Sequence, residues 1–155
     1  MVDDLVTIRL VELPVAVHAK SSEHSDELMR EFTYIRAQSS DPDAATVPAK
    51  LLDLVDEVTG RFAGFTAGSQ AELDDAVATG KESIDLEYRV PPDVADACIR
   101  LGELLDAADQ YCREGEVLLT LATPDDLVAY RRWFLDEFVR QAGGESPRPW
   151  PAFAG

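Results

Sequence analysis

The chain has 155 residues, 46% of them hydrophobic, which is the size and apolar content of one ordinary domain with a core of its own. Its 30 acidic and 14 basic residues give a formal net charge of -16, a field that repels phosphate backbones and anionic lipid surfaces. Nucleic acid and membrane are therefore disfavoured as partners, while a basic protein surface is not.

Leu5 to Leu13 is rich in branched residues and stops at Pro14, as a strand does, with enough apolar residues for burial on both faces. From Pro14 a long helix is expected to about Arg36. Its inner stripe, Val17, Ser21, His24, Leu28, Phe32 and Ile35, is polar in the middle, where His24 takes an apolar position one turn from Glu27. Gln38 to Thr46 clusters turn formers without an apolar period and reads as a surface loop, the most mobile internal segment. Val47, Leu51, Leu54, Val55, Val58 and Phe62 mark the next helix, with Pro48 tolerated in its first turn and Gly60 and Gly64 weakening its end. Gly64 to Ser69 is expected to be a glycine-rich turn anchored by Phe62 and Phe65. Ser69 and Glu72 then fit a capping box, predicting a separate short helix from Ala71 to Ala78 ended by Thr79-Gly80-Lys81.

Glu82 to Gln141 reads as strand, helix, strand, helix. Ile84, Leu86, Tyr88 and Val90 alternate with charged residues and stop at Pro91-Pro92. Val94, Cys98, Leu101, Leu105, Ala108 and Cys112 then step by four and three along one helical stripe. The two cysteines, about 21 Å apart along that helix, are expected to be free, buried thiols. Glu116 to Ala122 is a second apolar strand candidate, parallel to the first if a helix connects them. Asp125 opens the last helix, with Leu127, Tyr130, Arg131, Phe134, Phe138 and Gln141 on one face and Trp133 toward the other. That apolar arc is wider than one buried stripe requires. After Gly143 the alternating Pro147, Pro149 and Pro151 favour an extended tail, pinned by Trp150 and Phe153 if by anything. The fold expected is therefore α+β: one domain over residues 1–142 with about three strands and five helices in the order βαααβαβα, a βαβα unit at 82–141, and a tail at 143–155.

Residue chemistry supplies no catalytic signature. Gly60 to Ser69 lacks the lysine of a phosphate cradle and follows a helix, no Gly-x-Ser-x-Gly elbow is present, and the cysteines fall on an apolar stripe. His24 and Glu27 are weak candidates for a metal site, His18 lying on the wrong helical face to share an ion. With Glu31 they outline a pocket for the alternative reading, a small-ligand or metal sensor or enzyme. No cofactor is indicated. The segment Tyr130, Arg131, Arg132 and Trp133, with Phe65 and Thr66 of the glycine-rich turn, is the candidate partner-binding surface, because aromatic and arginine side chains dominate binding hot spots. The competing intramolecular reading pairs the arginines with local acids such as Asp126 or Asp136 and turns the rings inward. Met-Val-Asp-Asp-Leu has no basic region followed by a long apolar run, and no stretch approaches the roughly 20 apolar residues of a membrane span, so a cytoplasmic location is expected.

Ile8-Arg-Leu-Val-Glu-Leu-Pro-Val-Ala-Val-His, Glu23-His-Ser-Asp-Glu-Leu-Met-Arg-Glu-Phe, Gly64-Phe-Thr-Ala-Gly, and Leu119-Thr-Leu-Ala-Thr-Pro followed by Tyr130-Arg-Arg-Trp-Phe-Leu-Asp-Glu-Phe resemble, over nearly the whole chain, a family of small uncharacterised actinobacterial proteins. That family is found beside anti-sigma ATPase kinases, STAS-domain antagonists and PP2C-type phosphatases. The resemblance implies a non-catalytic regulatory protein that binds a protein partner of such a partner-switching module. The opening also distantly resembles the first strand and helix of the GHKL ATPase kinases. The chain has neither an asparagine nor an Asp-x-Gly-x-Gly turn, so the ATP site of those kinases is not carried over.

Overall fold

The computed structural model describes residues 5–38, 46–114 and 124–150. Strand β1 (Val6–Pro14) leads directly into helix α1 (Val15–Gln38), followed by α2 (Val47–Ala78), strand β2 (Ser83–Val90), α3 (Val94–Glu114) and α4 (Asp125–Ala142). The two strands pair antiparallel. The architecture is α+β and mostly helical. Among the described residues it holds two strands and four helices rather than three and five; the predicted strand Glu116 to Ala122, most of the predicted loop before Val47, and Phe153 lie outside them.

The sheet turns one face inward, against the expectation that β1 is buried on both. Leu10 pairs with Leu86 and Leu13 with Ile84, so three steps of β1 span two of β2. This bulge shifts the inward parity from even to odd numbers: Ile8, Leu10 and Leu13 are all fully buried, while Glu12, which strict alternation would have turned into the core, stays exposed. Glu12 takes a φ of 55° to do so, a left-handed conformation that costs a residue with a side chain about 1–2 kcal/mol. Its amide donates to Asp85 Oδ1 at 2.8 Å.

The core has two parts. Around the sheet, Ile8, Leu10, Leu13, Leu86, Tyr88 and Val90 meet Phe62 and Leu73 of α2, Val94 and Ala97 of α3, and Tyr130, Trp133 and Phe138 of α4. Away from it, Leu28 and Phe32 of α1, Leu51 and Leu52 of α2, and Ala108 and Cys112 of α3 form a second cluster. Helix α2 joins both, since 32 residues extend about 48 Å at the α-helical rise. The expected turn at Gly64 to Ser69 and the separate helix after it are thus one helix. Phe62, Ser69, Leu73 and Ala76 bury one continuous helical face, and that packing outweighs glycine's helix penalty of about 1 kcal/mol. Ser69 caps nothing: its hydroxyl donates to the Glu87 carbonyl of β2 at 2.8 Å. The helix is capped at Thr46, whose hydroxyl accepts from the Ala49 amide.

The outer edge of β1 is closed by side chain and tail. Gln141 of α4 accepts from the Arg9 amide at 2.7 Å and donates to the Arg9 carbonyl at 2.8 Å, so one side-chain amide substitutes for a neighbouring strand. Two residues on, the Trp150 amide donates to the Val11 carbonyl. Glu137, fully buried, accepts from Arg140, from Gln141, and from both the amide and guanidinium of Arg148. Arg148 and Trp150 of the segment after α4 are thus held against α4 and β1.

Candidate functional site

The aromatic and arginine segment of α4 is mostly interior. Tyr130 and Trp133 are buried; Trp133, expected on the outer side, donates through Nε1 to the Arg148 carbonyl at 3.0 Å, and the rings of Tyr130, Trp133 and Trp150 pack 5.5–5.9 Å apart. Arg131, with 12% of its side chain exposed, pairs with Asp106 at 2.7 Å and Asp109 at 3.1 Å on α3. The arginine thus has acidic partners as the intramolecular reading has it, on a different helix from Asp126 and Asp136. Only Arg132 is turned outward, 69% exposed and 3.8 Å from Asp106. Phe65 is 40% exposed on the outside of α2, not an anchor to the core; Thr66 is half-buried.

Beside Arg132 lies an open groove of about 610 Å3 between α3 and α4. Cys98, Ile99 and Gly102 form one wall, and Leu135 and Val139 the other. An added Cβ on Gly102 would stand 3.5 Å from Leu135, an ordinary van der Waals contact. Ile99 is 46% exposed, an uncovered apolar side chain in the wall. The rim alternates in charge, Glu103, Asp106 and Asp136 facing Arg131, Arg132 and Arg148. Sequence periodicity put Cys98 on an inward stripe and gave no sign that Ile99, one residue on, borders a concavity made with Leu135.

A second, half-open concavity lies between α1, α2, β2, α3 and α4. Cys98 and Leu135 line both. Burial pushes the Cys98 thiol up to about 12, and burial with Asp109 and Glu31 raises Cys112, so both thiols stay protonated and weakly nucleophilic at neutral pH. They are free, as expected.

The histidines divide differently from the sequence expectation. His18 Nδ1 lies 2.6 Å from the Tyr130 hydroxyl, a hydrogen bond whose direction follows the imidazole tautomer. Burial lowers the His18 pKa more than Asp74 raises it, and burial raises Tyr130. His18 also borders an open cleft of about 310 Å3 with Ser22, Glu23, Asp26, Gln70 and Asp74. His24 and Glu31 are half-buried and Glu27 is exposed on α1, and none of the three lines either concavity or this cleft. Among the described residues no three His, Cys, Asp or Glu side chains converge as a metal ion requires, and no helix is long and apolar enough to cross a membrane.

Comparison of the chain with protein-family models, with curated proteins and with solved structures gave no match.

Proposed function

We propose that this chain is a non-catalytic regulatory protein that works by binding another protein through the α3–α4 groove. The observation that carries the reading is the groove itself, with Ile99 uncovered in its wall and Arg132 exposed at its rim. The partner is an apolar segment flanked by positive charge, because a body of net charge -16 attracts basic surfaces and speeds their encounter. The resemblance to proteins found beside partner-switching modules makes an anti-sigma kinase, a STAS-domain antagonist or a PP2C-type phosphatase the first partners to try. The contact surface is smaller than the sequence indicated: Arg132 remains in it with Ile99, Leu135 and Val139, while Tyr130 and Trp133 hold the helix in place. Binding of the immobilised chain to each of the three proteins tests this. One should bind, Ile99→Asp should weaken it at least tenfold, and Phe65→Ala should leave it unchanged; no binding to any of them refutes the assignment.

A further inference from the structure

The segment after α4 lies on the surface as a bound peptide lies on a receptor. Residues 143–149 are all exposed and Trp150 alone is buried, the pattern of a single anchor in a socket rather than of a packed core element. Its main chain is met bond by bond. The Arg148 amide donates to Glu137 Oε1 at 2.7 Å, the Arg148 carbonyl accepts from Trp133 Nε1 at 3.0 Å, and the Trp150 amide donates to the Val11 carbonyl of β1 at 3.1 Å. Pro149 between them has no amide to satisfy, and with Pro147 it fixes an extended backbone in advance. Two side chains supply the selectivity. Arg148 pairs with Asp136 and Glu137, and the Trp150 ring stands edge-on to Tyr130 and Trp133 at 5.6 and 5.5 Å. The seat stays paired without the segment: Glu137 keeps its bonds from Arg140 and Gln141, and Gln141 still closes the edge of β1 at Arg9.

We propose that this seat on α4 and β1 is a docking site for an extended, proline-flanked segment of another protein with arginine two residues before tryptophan, and that residues 148–150 occupy it in cis. The acidic pair and the net charge of -16 favour a basic segment, and the aromatic socket takes a large flat ring. The chain's own segment competes from a short tether, at an effective concentration of about millimolar. A displacing segment therefore needs contacts that the tail does not make. Arg148 and Pro149 also line the α3–α4 groove, so a segment continuing from the seat finds them there. The seat itself is built from contacts outside the groove's apolar wall and holds an arginine-tryptophan segment whether or not the groove binds a partner.

The test uses the full chain and a fluorescein-labelled peptide, Ser-Pro-Arg-Pro-Trp-Pro, which repeats residues 146–151. Fluorescence polarisation should show weak binding to the wild-type chain, whose seat is filled. Trp150→Ala, which vacates the socket, should bind the peptide saturably, at one per chain and at least tenfold more tightly. The same peptide with alanine for its tryptophan, or glutamate for its arginine, should bind that variant at least tenfold more weakly. Equal affinity for the two chains, or for the altered peptides, overturns the proposal. Arg148→Ala, which loosens the tail and leaves the ring, is the second variant should Trp150→Ala not fold, with at least threefold tighter peptide binding than wild type expected. Failure of both variants to fold makes the tail a core element and overturns the proposal as well. Dimers of the wild-type chain that grow with concentration and vanish in Trp150→Ala make a second copy the occupant and overturn the choice of another protein.

Discussion

Replacing Gly64 by Ala decides between a turn and a continuous α2. An added Cβ at Gly60, Gly64 or Gly68 meets no atom within 4 Å, and among the described residues positive φ is confined, for glycine, to Gly80 and Gly144. Each substitution therefore adds a better helix former at no steric cost, which is worth about 1 kcal/mol in a helix interior. In a domain of this size that raises the melting temperature by about 2–4 °C, and the triple variant should gain about 2–3 kcal/mol, since the three sites lie on an open face and share no packing partner. Urea unfolding followed by circular dichroism gives the sign directly, as a higher midpoint at an unchanged slope. If residues 64–69 formed the glycine-rich turn that the local sequence spells, alanine in a left-handed position would lose about 1–2 kcal/mol instead. A lower midpoint for Gly64→Ala refutes the continuous helix.

Other perturbations have equally definite outcomes. Ser69→Ala removes the hydrogen bond to Glu87 and should lower stability by about 1 kcal/mol in the same urea titration. Glu137→Ala should lose about 3 kcal/mol, the low end for breaking a buried ion pair because Arg148 is half exposed; truncation after Ala142 removes the Arg148 bonds to Glu137 and leaves those from Arg140 and Gln141, so a double-mutant cycle should show the two losses to be less than additive. His18 is held below its ordinary 6.5 in the fold, so the unfolded chain binds the extra proton. Stability should fall as pH drops through 6.5, by at most about 1.4 kcal/mol per pH unit from this group, and His18→Gln should flatten that slope. Tyr88 is raised from 10 to about 12, so stability should fall as pH climbs from 10 to 12, and Tyr88→Phe should remove that loss.

What the sequence made legible follows the range of the forces involved. Alternation from Ile84 to Val90 and the four-and-three spacing from Val94 to Cys112 are local, and β2 and α3 lie where they indicate. The β1 bulge was not legible, because moving Leu13 inward takes one residue in a conformation that nothing in Val11-Glu12 requires. The continuity of α2 was hidden by its glycines, whose penalties are visible locally while the compensating burial of Phe62, Leu73 and Ala76 depends on distant partners. The same holds for the site. Tyr130 and Trp133 read as a hot spot because the groups that cover them, Trp150 from the tail and His18 from α1, are remote in sequence. The wide apolar arc of α4 did carry a signal: the helix packs on β1, α1 and α3 and still keeps Leu135 and Val139 at a groove.

Amide hydrogen exchange on the chain mixed with a bound partner tests most directly the claim that the α3–α4 groove is the working surface. Added protection should concentrate at residues 98–106 and 131–139 and disappear with Ile99→Asp. Protection centred on Phe65 and the exposed face of α2, with α3 and α4 unchanged, would contradict the account.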